Sequence, residues 1–139
     1  MRNMSFLLTL QQLAAGTKDV TRRLGWARLQ PDTLVQAVEK SQGLGKGGVI
    51  NRLCVLRVTA VRRERLDRLV TEPSYGEVEV VREGFRGLSP AQFVAMFCGH
   101  MRCQPDVEVT RIEFVKDARP QQRAFVLPPL PPTTRPTPP

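Results

Sequence analysis

Hydrophobic and polar positions in residues 1–116 switch repeatedly between the spacing of strands and the spacing of helices. The segment 5–8, apolar at 6–8, is typical of a short strand, and the apolar residues of 10–14 then fall on one face of a helix. We predict that this helix begins at Thr9, where Gln12 completes a capping box, and ends at Gly16. The polar side chains that follow Gly16 should therefore gather at the mouth of the fold rather than in its core.

The rest of this region predicts four more strands and further short helices. Apolar and β-branched residues predict strands at 18–23, 33–39, 53–61 and 107–115, and the third of these is apolar on both faces, as a central strand is. Helical spacing predicts short helices at 66–69 and 77–82, and a longer helix from a capping box of Ser89 and Gln92 to about Gly99. This order favours an α+β fold, a small mixed or antiparallel β-barrel flanked by about three short helices.

The composition changes after Lys116. Eight of the twelve prolines fall between Pro120 and Pro139, and a run such as Leu127–Pro132 is typical of polyproline II rather than of a packed core. We therefore predict a folded domain at 1–116 and a disordered, proline-rich tail at 117–139. Such a tail also allows an adaptor function, in which it binds an SH3-like groove of a partner.

The net charge of +8 and the isoelectric point near 10.4 indicate an anionic partner, such as nucleic acid, an anionic ligand or an acidic protein. The apolar run near the N-terminus is too short for a signal peptide, and no run has the length of a membrane span. We therefore predict a cytoplasmic protein that does not contact a membrane. The sequence leaves its oligomeric state open.

The three cysteines favour a reducing compartment over a disulfide framework, because their number is odd and Cys54 is far from the other two. Cys98, His100 and Cys103 fall within six residues, but zinc needs about four ligands with tetrahedral reach. Ordinary burial of Cys98 on its helix is the simpler interpretation. We predict no metal and no cofactor.

Lys18, Thr21, Arg23 and Glu83 are candidates for one polar pocket. A threonine hydroxyl becomes a nucleophile once a base takes its proton, and a lysine can be that base if burial or positive charge lowers its pKa. Arg22 or Arg23 could supply that charge, or bind a phosphate or carboxylate. Glu83 could orient the lysine or pass a proton to a leaving amine. The alternative interpretation is a basic strand with a solvated face.

Two further patterns concern ligands. Trp26, the only tryptophan, could stack on a base, although a lone tryptophan is more often a packing anchor. The loop at 43–48 contains G-x-G-x-x-G, but a strand follows it where dinucleotide binding needs a helix. We therefore interpret this loop as a hairpin connection from which Lys46 could contact a phosphate.

The spacing G-x-K-x-x-T-x-R after a short strand and helix resembles the signature of the ASCH domain family, a branch of the PUA-like superfamily. Its residues here are Gly16, Lys18, Thr21 and Arg23. Three further features agree with this resemblance: the turn at 29–32, a basic strand after the glycine-rich loop, and the step Glu83-Gly84 ahead of a helix. The resemblance covers about residues 4–116.

The resemblance implies a barrel of five to six strands, with a cleft at one end that binds RNA or a nucleoside- or nucleotide-type ligand. A few members with a similar motif are amidohydrolases that remove the acetyl group of acetylcytidine. If this chain is an enzyme, the resemblance implies that its catalytic residues are Lys18, Thr21 and Glu83. We expect ligand binding, with hydrolysis and the adaptor function as alternatives. The candidate ligand-binding residues are Lys18, Thr21, Arg22, Arg23, Trp26, Lys40 and Lys46.

Overall fold

The structure, a computed structural model, describes residues 1–40 and 50–118. Lys46 and the proline-rich region beyond residue 118 lie outside the described residues, so what was predicted for them stays a prediction. The described strands are β1 (Arg2–Ser5), β2 (Val20–Arg23), β3 (Leu34–Val38), β4 (Arg52–Arg65) and β5 (Glu108–Lys116). The α-helices are α1 (Leu10–Ala15), α2 (Arg68–Thr71), α3 (Pro73–Arg82) and α4 (Pro90–Met101), and a 3₁₀ turn lies at Leu7–Thr9.

The five strands form one mixed sheet in the order β1, β3, β4, β5, β2. β1 pairs parallel with β3, and the other neighbours are antiparallel. The pairing of β4 with β5 shifts register between Val58 and Ala60, and a bulge of this kind bends and twists its strand. The sheet curls into a half-barrel whose two free edges are β1 and β2. The prediction of an α+β fold with a small, barrel-like sheet and short flanking helices is confirmed.

Alternation along β5 separates two hydrophobic cores. Ile112 and Phe114 belong to a core between the strands and α1, whose other buried members are Met4, Phe6, Leu13, Leu29, Val35, Ala37, Leu56 and Val58. Val109 belongs to a second core under helices α2 to α4, with Leu66, Leu69, Val80, Phe93 and Val94. Because successive side chains of a strand point to opposite faces, Arg111 lies on the face of Val109 and the helices.

The two predicted capping boxes have different outcomes. At α4 the Ser89 hydroxyl accepts a hydrogen bond from the Gln92 backbone N–H at 3.1 Å, and Gln92 Oε1 accepts one from the Ser89 N–H at 2.8 Å, so this box is confirmed. At α1 the Thr9 side chain makes no capping bond, so that prediction is wrong. The Gln12 amide instead donates to the Gly84 carbonyl oxygen at 3.2 Å, because the Gln12 side chain lies against Gly84 in the segment after α3.

All six buried charged side chains of the described residues belong to one network of three cations and three carboxylates. We call it the six-charge network; its members are Lys18, Arg22, Arg111, Glu64, Glu79 and Glu83. The Arg22 guanidinium lies at its centre and donates to all three glutamates, at 2.9 Å to Glu64, 2.5 Å to Glu79 and 3.0 Å to Glu83. Lys18 joins this network at Glu83, and Arg111 joins it at Glu79.

Strand pairing places three arginines of this region side by side. Arg22 on β2 pairs with Arg111 on β5, and Arg111 pairs with Arg62 on β4. Like charges directly opposite one another destabilise a sheet, so the row requires carboxylates close to it. Glu79 from α3 accepts from Arg22 and Arg111, and Glu64 accepts from Arg22 and Arg62. This charge compensation fixes α3 on the sheet.

The network lowers the pKa of two of its carboxylates, Glu79 and Glu64. Burial alone would raise the pKa of Glu79, but the hydrogen bonds and charges of Arg111 and Arg22 outweigh it and lower that pKa to about 2. Burial likewise opposes the shift of Glu64, yet Arg22 and the hydrogen bond from Tyr75 lower its pKa. The folded protein therefore keeps Glu79 and Glu64 ionised to lower pH than the unfolded chain does.

Glu79→Gln tests this stabilisation through its dependence on pH. The unfolded chain protonates Glu79 as the pH falls through about 4.5, whereas the folded chain keeps it ionised to about 2. The contribution, about 3 kcal/mol, is therefore complete above the unfolded value and is lost as the pH falls toward the folded one. In urea unfolding, the free energy of unfolding of wild type should exceed that of Glu79→Gln above about pH 4.5, and this difference should be lost as the pH falls toward about 2. The exposed control Glu108→Gln should follow wild type, and identical pH profiles for wild type and Glu79→Gln would contradict the assignment.

Candidate functional site

A cleft of about 560 Å³ lies between the two free edges of the sheet. Its size is within the range of roughly 300–1,000 Å³ that is usual for small-molecule sites. Residues of β1 and the turn after it line one side, the segment from Lys18 to Trp26 lines another, and α4 lines a third. The α4 residues that line it are spaced as one helix face: Phe93, Met96, Phe97, His100 and Met101.

Lys18 and Glu83 form a buried ion pair beside this cleft. Lys18 Nζ donates three hydrogen bonds, to the Val20 backbone oxygen at 2.9 Å, the Glu83 backbone oxygen at 2.8 Å and Glu83 Oε1 at 3.0 Å. An ammonium has three donors, so all of them are used. Burial lowers the pKa of Lys18, the charges of Arg23 and Arg22 act in the same direction, and Glu83 opposes them. The Lys18 amine therefore has a pKa below that of an exposed lysine and lies within hydrogen-bond distance of a carboxylate.

Thr21 and Arg23 share one face of β2, as the two-residue period predicts. Arg23 Nε donates to Thr21 Oγ1 at 3.1 Å, which uses the threonine oxygen as an acceptor and leaves its hydroxyl hydrogen available. Burial lowers the pKa of Arg23 to about 10, against the opposing charge of Glu83, so the guanidinium remains charged at neutral pH. Within the described residues, no hydrogen bond joins Lys18 to Thr21.

The Arg22 side chain is buried among carboxylates, whereas a ligand-binding residue is expected to present its guanidinium to the cleft. Its guanidinium lies on the opposite side of β2 from Thr21 and is fully enclosed by the three glutamates and the Tyr75 hydroxyl. One of those bonds, from Nη1 to Glu83 Oε2, holds the second carboxylate oxygen of Glu83. Arg22 lines the cleft, but its donors serve to position Glu83 and thereby Lys18.

Trp26 lies in a turn with an unusual backbone. Gly25 has φ 80° and Trp26 has φ 55°, and the left-handed region costs a non-glycine residue roughly 1–2 kcal/mol. The buried Thr110 hydroxyl on β5 donates to the Gly25 carbonyl oxygen at 2.5 Å and helps to hold this turn. The indole packs against the first core and also lines the cleft, so it is both a packing anchor and part of the cleft wall.

Two cation–π contacts cross the gap between β1 and β2. The guanidinium carbon of Arg2 on β1 lies 3.7 Å from the ring centroid of Trp26, which follows β2. The guanidinium carbon of Arg23 on β2 lies 4.7 Å from the ring centroid of Phe6, which follows β1. Because the two strands are the outer members of the described sheet, these side chains connect edges that the backbone ladder does not.

The structure brings six of the seven predicted ligand-binding residues to this cleft, together with Glu83. They are Lys18, Thr21, Arg22, Arg23, Trp26 and Lys40. Lys46 lies outside the described residues. Sequence reasoning missed Arg2, Phe6 and Phe85, and it placed the α4 aromatics only in the core. Their helical spacing could have indicated a second role, whereas nothing local to Arg2 indicates that it faces Trp26. The roles of these residues in binding or catalysis stay predictions.

The cysteine and histidine pattern of α4 is not assembled as a metal site. Cys98 Sγ and Cys103 Sγ are 3.9 Å apart, while Cys54 packs against the other hydrophobic core. In residues 1–40 and 50–118, no group of three or more histidine, cysteine, aspartate or glutamate side chains is placed to hold a metal ion. Nor does any helix within these ranges have the length and apolar character needed to cross a membrane.

Comparison with known proteins finds likeness at the level of structure only. No model of a known protein family matches the chain, and no curated protein matches its sequence. A crystal structure of an ASCH domain from Lactobacillus crispatus JV V101 is 14% identical, covers 83% of this chain and 78% of its own, and has a TM-score of 0.48. A protein of the DUF984 family from Enterococcus faecalis V583 is 13% identical, covers 77% and 68%, and also has a TM-score of 0.48. An ASCH domain is thus among the solved structures to which this chain is similar.

Glu83→Gln tests the coupling between Lys18 and Glu83. The charge and hydrogen bond of Glu83 raise the pKa of Lys18 against burial and the two arginines, so their loss should move the lysine titration to lower pH. Side-chain NMR of the lysine Cε and Nζ atoms would follow this midpoint in wild type and variant. Glu108→Gln, which removes an exposed carboxylate paired with Arg63, is the control. An unchanged Lys18 midpoint in Glu83→Gln would show that the two groups are not coupled.

Proposed function

We propose that this chain is a ligand-binding domain whose cleft holds RNA or a nucleoside- or nucleotide-type ligand. The observation that carries the proposal is the composition of the cleft wall, which combines aromatic rings with cations. Bases stack on aromatic side chains, and arginine and lysine bind the phosphates that connect nucleosides. The resemblance of the motif at 16–23 to the ASCH family supports the same ligand class.

Ion pairs leave part of the basic charge of the cleft unneutralised. Several exposed or half-buried arginines of β4 and α2 are paired with carboxylates, among them Arg63, Arg65 and Arg68. Within the described residues, Arg2 and Lys40 line the cleft without an ion pair. The unneutralised charge at the cleft is therefore available to an anionic ligand.

Salt-dependent binding of single-stranded RNA tests the proposal. Each phosphate contact contributes a slope of about −0.7 to log K against log salt for single strands, so contacts with Arg2, Arg23 and Lys40 should give about −2. Fluorescence anisotropy of a labelled RNA between roughly 50 and 200 mM salt would measure this slope. Lys40→Gln should reduce its magnitude by about 0.7, and Arg52→Gln, an exposed arginine outside the cleft, should leave it unchanged. Absence of binding at low salt, or equal effects of both variants, would overturn RNA binding in this cleft.

Amide hydrolysis is a second candidate, favoured by the position of the Lys18–Glu83 ion pair. Transfer of a proton from Lys18 Nζ to Glu83 Oε1, along their 3.0 Å hydrogen bond, gives a neutral amine and a carboxylic acid. The neutral amine could then take the hydroxyl proton of Thr21, whose oxygen attacks the acyl carbon of the ligand. Glu83 returns its proton to the leaving amine, and water hydrolyses the acyl-threonine ester. The charge of Arg23 next to Thr21 Oγ1 would stabilise the developing alkoxide.

Incubation with acetylcytidine tests the hydrolytic candidate. Wild type should release cytidine and acetate, and Thr21→Val, which keeps the side-chain shape but lacks the hydroxyl, should lower kcat/KM at least about a thousandfold. Thr17→Val removes an exposed hydroxyl of the same segment and should have no such effect. If wild type and Thr21→Val are equally inactive, hydrolysis of this substrate is excluded, while the proposal of ligand binding stands.

A further inference from the structure

The cleft contains more cationic charge than its own carboxylate can neutralise. Within residues 1–40 and 50–118, Glu83 is the only acidic residue that lines it, and both of its carboxylate oxygens are occupied. Oε1 accepts from Lys18 and Oε2 accepts from Arg22. These two cations are therefore compensated inside the protein, while Arg2, Arg23 and Lys40 have no ion pair within the described residues.

The guanidinium groups of Arg2 and Arg23 are each oriented by an aromatic ring, and most of their N–H donors have no acceptor among the described residues. Arg23 uses its Nε–H on Thr21, and its guanidinium lies over the Phe6 ring, so within the described residues its Nη groups have no hydrogen-bond acceptor. The Arg2 guanidinium lies over the Trp26 ring and makes no side-chain hydrogen bond to a described residue. Stacking on a ring restrains a guanidinium but leaves its in-plane N–H groups free. Such a group is ready to bind an anion through two parallel hydrogen bonds.

The two stacked arginines belong to opposite edges of the half-barrel. Arg2 extends from β1 to the ring that follows β2, and Arg23 extends from β2 to the ring that follows β1. Both therefore lie where backbone hydrogen bonds of the described strands do not close the sheet, and Lys40 lines the same opening. The other side of the cleft is apolar, with Phe85 and the aromatic and methionine side chains of α4.

We propose that the cleft selects a ligand in which a phosphate monoester is attached to a nucleoside, with the phosphate bound by Arg2, Arg23 and Lys40. This rests on the proposed function and narrows it, because a neutral nucleoside would leave three cations without a partner. The base of the ligand lies against the apolar side, where aromatic rings and Met96 provide a stacking surface. A mononucleotide and the phosphorylated end of an RNA share this chemistry.

Trp26 is the only tryptophan of the sequence, so its fluorescence can report on ligand binding at this site. Because Arg2 stacks on Trp26, an anion that engages this guanidinium should change the indole fluorescence. The full chain is titrated with cytidine, cytidine 5′-monophosphate and inorganic phosphate, and then with one RNA oligonucleotide carrying either a 5′-phosphate or a 5′-hydroxyl. The monophosphate should bind at least roughly tenfold more tightly than cytidine and than inorganic phosphate.

Variants assign the effect to the stacked arginine. Arg2→Gln should weaken the preference for the monophosphate over cytidine, because only Arg23 and Lys40 then bind the phosphate, and Arg2→Lys, which keeps the charge but not the planar fork, should weaken it less. Arg52→Gln removes an equal charge from an exposed arginine outside the cleft and should retain all of it. Circular dichroism and urea unfolding of each variant establish that its fold is intact, and Arg2 is exposed, so the core does not depend on it.

The outcomes separate this inference from the proposed function. Equal affinity for cytidine and its monophosphate would overturn the phosphate selection and leave nucleoside binding in place. Equal affinity for inorganic phosphate and the monophosphate would overturn the role of the base. A preference for the 5′-phosphorylated RNA identifies an RNA end as the source of the phosphate, and a preference confined to the mononucleotide identifies a free nucleotide. If neither the small ligands nor the RNA bind, the proposed function itself is wrong.

Discussion

Three arginines lie side by side across β2, β5 and β4, and the fold depends on how their charge is neutralised. Arg22, at the end of this row, contacts each buried glutamate of the six-charge network. Glu79 lies in α3 and Glu83 follows its last residue, so the helix is held to the sheet by charge as well as by the hydrophobic core beneath it. Since buried charges are tolerated only when they are paired, the position of this helix is strongly restricted.

Glu83 connects the six-charge network to the cleft, so the network also restricts the geometry of the cleft wall. This glutamate follows the last turn of α3, and it contacts Arg22 with one carboxylate oxygen and Lys18 with the other. A side chain that would be mobile on an exposed helix end is thereby fixed at the cleft wall. The structural network and the candidate site are therefore continuous, and the protein cannot rearrange one without disturbing the other.

Much of the fold could be predicted from the sequence, because it depends on local periodicity and helix caps. The alternation that places Thr21 and Arg23 on one face of β2 needs only the two-residue period of a strand. The pairing of Arg22 with Arg111 could not be predicted, because it follows from β2 and β5 being neighbours although they are far apart in sequence. The place of Glu64 in the network could not be predicted either, because its neighbours at 62, 63 and 65 are arginines and the segment has the composition of a basic cluster.

The balance of three cations and three carboxylates also has an evolutionary consequence. A substitution that neutralises Arg22 leaves an excess of buried negative charge, and the simplest compensation is the loss of a carboxylate such as Glu64. Relatives that lack one member of the set should therefore lack a member of the opposite sign. The buried charges should be inherited as a group whose sum is conserved, even where the individual residues are not.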